Sequence, residues 1–167
     1  LLDEVRALGA ERINLSTYID NKASIHILES NGFHRVGSFS YLEREEASVS
    51  MADVVNPGEV RPIAVDEMHA FMAESRYLSD SGGRVSHGWS FFPFDADPDR
   101  AIRGFCQRLG CVVEGRLRAA VGVYQHAKSV RSLSLGFLDG SNEGLRLLIE
   151  ELSRRHPEHR MECMAPV

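Results

Sequence analysis

Disulfide frameworks, membrane helices and polyanion-binding patches all need residues that this sequence has too few of. Its three cysteines, Cys106, Cys111 and Cys163, are odd in number and lack Cys-x-x-Cys spacing, which excludes a disulfide framework and a paired-cysteine zinc site. No basic-then-apolar leader accompanies them, so a reducing cytoplasm is the expected location. The longest apolar runs, such as residues 119–121 and 147–149, fall far short of the roughly 20 residues that cross a bilayer. Basic residues are in deficit as well: 19 Lys and Arg face 24 Asp and Glu, a formal charge of −5, so no nucleic-acid partner is expected. What is present is 43% apolar residues in a chain of 167. That is enough for a buried core in one domain, or in one domain plus part of another.

Leu1, Leu2, Val5 and Leu8 recur at helical spacing and Gly9 stops the pattern. The helix is already running at Leu1, which reads as a chain cut open upstream. Residues 10–18 then alternate as a strand does, Ile13 and Leu15 against Asn14 and Ser16. Asn21 is a favoured helix cap, Ile25 and Leu28 share a face after it, and Asn31-Gly32 supplies a left-handed C-terminal cap. Residues 33–42 read as another strand. The charged, then small and polar stretch from Glu43 ends in Asn56-Pro57-Gly58, which is linker chemistry. The expected division is a first unit at 1–46, a linker at 47–58 and a second unit at 59–167.

The second unit opens with a strand at 60–65, after which Asp66 is expected to cap a helix with Met68, Phe71 and Met72 inward. A loop at 79–88 and an aromatic stretch at 89–94 precede Asp97-Pro98, which opens a helix carrying Ile102, Phe105 and Leu109 inward. Residues 111–113, the turn Glu114-Gly115, and Leu117, Ala119, Val121 and Val123 in alternation describe a hairpin. Leu133, Leu135 and Phe137 alternate with Ser132, Ser134 and Gly136, which predicts a strand with one buried face. Asp139-Gly140 turns the chain, and Ser141 or Asn142 caps a helix bearing Leu145, Leu148, Ile149 and Leu152. Pro157 ends that helix before a strand at 160–164.

The two ends of the chain repeat one pattern: residues 1–18 and 147–166 both run from a Leu-Leu pair through an acidic residue to a strand. Aligning Arg12 with Arg160 places Ile13 on Met161 and Leu15 on Cys163. The run Asn21-Lys22-Ala23-Ser24-Ile25-His26-Ile27-Leu28-Glu29-Ser30-Asn31-Gly32-Phe33 resembles the late helix of the GNAT N-acetyltransferases. The family has Asn there, a small residue three later, and Gly-Phe eleven and twelve later. The start at Leu1-Leu2-Asp3-Glu4 resembles the helix after that family's Gly-x-Gly phosphate loop, and residues 60–167 resemble its front half in element order. The chain thus looks like part of a tandem GNAT protein, the C-terminal half of one unit followed by the N-terminal half of a second, degenerate one.

The resemblance implies an α/β fold of the α+β kind, with a mixed, mostly antiparallel sheet flanked by helices. Two parallel strands are expected to splay and bind the pantetheine arm of acetyl-CoA, with its pyrophosphate on the N-terminus of the next helix. It implies cofactor contacts at Asn21, Ser24, Gly140, Ser141, Asn142 and Gly144. The family's phosphate loop has Gln or Arg, two free positions, Gly, one free position, then Gly or Ala. Here Asp139 and Asn142 stand at the first and fourth of these positions. Asp139 and Glu143 would repel a diphosphate by about 1 kcal/mol per close exposed pair in water. A plain capped turn accounts for the same residues.

Acyl transfer to an amine needs a base, an oxyanion donor and an acid for the departing thiolate. The family's acid is a Tyr seven residues after the helix-opening Asn, and here that position is Leu28. Tyr18 and His26 are the nearest substitutes, against the plainer readings of a strand-end Tyr and a surface His; Asn21 would cap a helix in any protein. His156-Pro157-Glu158-His159 holds two histidines, but Pro157 breaks the helix that would align them, and no metal is expected. Ser86-His87 lacks the hydrolase elbow. Trp89, Phe91, Phe92 and Phe94 are expected to pack, and the cysteines to be inert core residues.

The expected function is acetyl-CoA-dependent transfer of an acetyl group to a small-molecule or peptide amine, with an incomplete catalytic apparatus in this chain. The alternative is a catalytically silent module for dimerisation or substrate capture. The altered turn predicts weak or no acetyl-CoA binding by the chain alone. Residues 1–46 are expected to pack edge-on against the open sheet edge of the second unit through Ile13, Leu15, Met161 and Cys163. That packing would occur within the chain or by strand exchange in a homodimer.

Overall fold

The computed structural model describes residues 7–9, 15–44, 58–87, 90–95, 97–124 and 132–167. The chain divides into two compact units, Leu1–Arg35 and Val36–Val167. The division falls ahead of the strand that sequence reading assigns to the first unit; residues 47–57 of the expected linker lie outside the described residues.

In the first unit, helix α1 (Lys22–Ser30) begins where its cap stands. Asn21 Oδ1 accepts from the Ser24 N–H at 3.1 Å, and Gly32 takes φ +83° to leave the helix, a conformation that costs glycine little. None of the helix residues is fully buried. Of the strand expected at 10–18, residues 10–14 lie outside the described residues and 15–18 are irregular. Leu15 and Tyr18 are both exposed, so the alternation has no buried face to fix it as a strand.

In the second unit the strands, in chain order, are β1 (Phe39–Arg44), β2 (Glu59–Pro62), β3 (Arg84–His87), β4 (Ser90–Pro93), β5 (Gln107–Val113), β6 (Arg116–Tyr124), β7 (Ser132–Gly140) and β8 (Arg160–Pro166). The helices are α2 (Val65–Ala73), α3 (Arg76–Asp80), α4 (Pro98–Arg103) and α5 (Asn142–Arg155). Six strands form one sheet in the order β1-β8-β7-β6-β5-β2, and β3 and β4 form a separate hairpin. All neighbours are antiparallel except β7 and β8. The fold is therefore the mixed, mostly antiparallel sheet flanked by helices that the sequence leads one to expect.

Both faces of the sheet are covered, not one. On one side Met68, Met72, Ile102, Phe105 and Phe137 pack together; on the other Leu148 and Leu152 of α5 pack on Val121, Val123, Leu133 and Leu135. Two bulges direct side chains between these cores. The register of β6 skips at Arg118, turning Leu117 to the first core while Ala119 and Val121 face the second. That of β7 skips at Gly136, turning Phe137 away from Leu133 and Leu135. Each inserted residue shifts the alternation by one, so an unbroken period of two cannot describe either strand.

Several expected boundaries move. The cap of α2 is Ala64, not Asp66; Ala64 has no side-chain acceptor, and Glu67 Oε2 accepts from its N–H at 3.1 Å. The expected loop at 79–88 holds the end of α3 and all of β3. Asp97 caps α4 as expected, its Oδ1 accepting from Arg100 N–H at 2.9 Å. The helix stops at Arg103, however, where Gly104 lies against the His87 ring, and Leu109 belongs to β5. The strand expected at 33–42 is β1, displaced to 39–44. It lies along β8 from Phe39 opposite Pro166 to Arg44 opposite Met161. The residue paired with Cys163 across this edge is Leu42; Leu15 belongs to the first unit, and Ile13 lies outside the described residues. Among the described residues no helix is long and apolar enough to cross a membrane.

Candidate functional site

Strands β7 and β8 pair in parallel only from Ser132 opposite Arg160 to Leu135 opposite Cys163. Beyond that point β7 follows β6 as far as Gly140, while β8 follows β1 as far as Pro166. The two strands part at the Gly136 bulge. A side chain on Gly136 would strike the Ser86 carbonyl of β3, so only glycine fits beneath the hairpin. Across the parting, Tyr77 of α3 reaches both strands. Its hydroxyl lies 3.2 Å from Gly136 O and 3.3 Å from Met164 O, sharing one proton between two acceptors. Burial pushes the Tyr77 phenol well above its ordinary range, so it remains a donor.

Beside this gap stands Glu162, half-buried on β8. Tyr41 of β1 donates its hydroxyl to Glu162 Oε2 at 2.9 Å, and Ser134 of β7 donates its own to Oε1. Partial burial, with the Glu162 carboxylate as hydrogen-bond acceptor, pushes Tyr41 up to about 12. Both hydroxyls thus keep their protons at neutral pH. Arg160, two residues away on β8, is engaged by Glu43 at 2.6 Å. Among the described residues no cation pairs with Glu162. A small cleft opens here, lined by Tyr41, Ser86, Ser134, Leu135, Glu162 and Met164.

The turn from β7 into α5 brings Gly140, Ser141, Asn142 and Gly144 together. Ser141 caps the helix, its Oγ accepting from Gly144 N–H at 3.2 Å, and its own N–H reaches Arg118 O at 2.9 Å. Gly140 adopts φ +136°, where a Cβ would fall 2.4 Å from Ala119 Cα, and a Cβ at Gly144 would fall 2.7 Å from Ala119 Cβ. Both glycines are thus required by close packing of turn on sheet. Asp139 points elsewhere: its carboxylate accepts from Tyr77 N–H at 2.9 Å and Gly140 N–H at 2.7 Å, capping the first turn of α3. Ser141, Asn142 and Glu143 are exposed at the helix start.

Asn21 caps α1 and Ser24 donates to it through its backbone; Tyr18 and His26 are exposed. All four lie in the first unit, whereas Gly140 to Gly144 and Glu162 lie in the second. His87 is a core residue: its Nε2–H donates to Ala101 O at 2.8 Å, and its ring stacks on Tyr124 at 5.3 Å between centroids. His156 and His159 meet edge to face at 5.3 Å, with Gln107 3.3 Å from His156 Nε2. No group of three or more metal-ligating side chains occurs among the described residues. Cys111 is buried and Cys163 half-buried, but Cys106 is exposed, which corrects its expected place in the core.

Glu162, Tyr41, Ser134 and Tyr77 carry the site, and sequence reasoning singled out none of them. One signal was available for Glu162: an acidic residue set between Met161 and Cys163 in a strand that is apolar after Arg160 apart from it. Tyr41 stands 121 residues away in sequence, and no local pattern links the two. No family model and no curated protein matches this sequence.

Proposed function

We propose that this chain carries the acyl-CoA cleft of an N-acyltransferase that moves an acetyl group from acetyl-CoA to an amine. The carrying observation is the parting of β7 and β8 at the Gly136 bulge, immediately upstream of a 14-residue helix whose N-terminus is exposed. A gap between parallel strands offers backbone groups to an amide-bearing arm, and a helix N-terminus favours a diphosphate. The resemblance of residues 21–33 to the GNAT late helix points the same way. The turn fits an anion better than its sequence suggests, because the Asp139 carboxylate is occupied by Tyr77 and Gly140. Glu143 still opposes one, so weak binding is expected. When bound, acetyl-CoA would supply the thioester carbonyl. Glu162 would hold the amine, and Tyr41 and Ser134 would hold Glu162.

A second reading, a catalytically silent module for dimerisation or substrate capture, is favoured by two observations. The Tyr77 hydroxyl already engages the carbonyls in the gap, and Leu28 replaces the family's acid. Calorimetric titration with acetyl-CoA, followed by acetyl transfer to a panel of primary amines, separates the two. Turnover with a dissociation constant in the micromolar range, about −8 kcal/mol, supports the enzyme. Absence of both heat and turnover supports the silent module.

A further inference from the structure

Of the five asparagines in the chain, Asn31 alone is followed by glycine, whose main-chain nitrogen no side chain shields. The pair closes the end of α1: Gly32 N–H reaches Glu29 O at 3.0 Å and Phe33 N–H reaches Leu28 O at 3.1 Å, the Schellman arrangement. Asn31 Nδ2 donates to Ile27 O at 2.8 Å. Both residues are exposed, and nothing lies within 4 Å of the place a Gly32 Cβ would take. We propose that Asn31 is a site of spontaneous deamidation, which converts it to aspartate and isoaspartate and uncaps α1. The Gly32 nitrogen loses its proton to solvent base and bonds to Asn31 Cγ; the Cγ–Nδ2 bond breaks and ammonia leaves. Water then opens the cyclic imide. Cleavage at Cγ leaves aspartate and cleavage at the main-chain carbonyl leaves isoaspartate, with water consumed, ammonia released and no oxidant needed. Ring closure requires Gly32 N–H to leave Glu29 O, which opening of the last helical turn allows. No side chain of this nine-residue helix is fully buried, and a helix so short is marginal by itself in water, so that turn opens before the sheet does. Asp139-Gly140 is the contrasting pair: the Tyr77 and Gly140 N–H groups hold its carboxylate at the end of β7, where no ring closes while the sheet is intact. Aspartate at position 31 loses the donor to Ile27 O and puts negative charge at a helix C-terminus, where the dipole opposes it. Isoaspartate also lengthens the main chain by a methylene.

The reaction is independent of acyl transfer and needs neither acetyl-CoA nor an amine. The test is incubation of the full native chain at pH 8, followed by peptide mapping in a mass spectrometer with electron-transfer fragmentation, which separates the two products. Asn31 is expected to convert at least tenfold faster than Asn21 and Asn142, which Lys22 and Glu143 follow, and Asp139 should yield no isoaspartate. Native-state hydrogen exchange should show the Gly32 amide opening faster than the Gly140 amide. Asn31→Gln would have to close a larger ring, so isoaspartate measured by enzymatic carboxyl methylation should fall to background in that variant. An unchanged Asn31, equal conversion at the three asparagines, conversion no faster than exchange of the β7 amides, or undiminished isoaspartate in Asn31→Gln would overturn the proposal. The first three readouts use the parent chain, so the outcome does not depend on how the variant folds.

Discussion

His87 is built into the core as a neutral ring. Burial lowers its folded pKa, the Ala101 carbonyl opposing in part, whereas in the unfolded chain it titrates near 6.5. The unfolded state therefore binds more protons as pH drops below that value. Stability is complete above about pH 6.5 and falls as pH descends from there, by at most about 1.4 kcal/mol per pH unit for one proton. His156, also lowered by burial, acts in the same direction. His87→Gln can keep a donor toward Ala101 without titrating, so its melting temperature should fall less between pH 7 and 5 than that of the parent chain. Parallel melting curves would place the acid sensitivity elsewhere. The thiols make a second residue-scale prediction. Burial pushes Cys163 up to about 11 and raises Cys111 as well, and the thiolate is the reactive form. Iodoacetamide at pH 8 should label exposed Cys106 first, and the other two only on unfolding, as mass spectrometry would resolve.

At the scale of elements, the turn between β7 and α5 depends on having no side chain at two places. Gly144→Ala sets a methyl 2.7 Å from Ala119 Cβ, an overpacking of about 1–3 kcal/mol. Gly140→Ala adds a strained φ of +136° to a comparable clash and should cost more. Gly115→Ala, at φ +73° with nothing within 4 Å of its Cβ, should cost only about 1 kcal/mol of backbone strain. Urea midpoints of the three variants check the order. Tyr77→Phe leaves Gly136 O and Met164 O without their donor and should lower stability by about 1–2 kcal/mol. It would also clear the gap: tighter acetyl-CoA binding by this variant would mark the Tyr77 hydroxyl as the occluding group.

At the scale of the molecule, the edge of β8 is covered by β1 through six opposed residue pairs and by the Tyr41–Glu162 and Glu43–Arg160 ties. Removing residues 1–35 keeps that strand and should leave a monomeric, cooperatively melting chain. Removing residues 1–44 strips β8 of its partner and exposes an unpaired edge, so aggregation or a lost transition is expected in size-exclusion and thermal melting. Identical behaviour of the two truncations would show that β1 contributes nothing to the sheet. The sequence by itself determined what depends on near neighbours: the caps at Asn21 and Asp97, a cap at Ser141 or Asn142, the Glu114-Gly115 hairpin and the amphipathic face of α5. Cap and turn energies are spent within about four residues, so they can be read locally. Only the tertiary structure decided the bulges at Arg118 and Gly136, the turning of Asp139 onto Tyr77, the pairing of β1 with β8 and the meeting of Tyr41 with Glu162. Each of these is settled by a partner distant in sequence, whose packing and hydrogen bonds outweigh local preference.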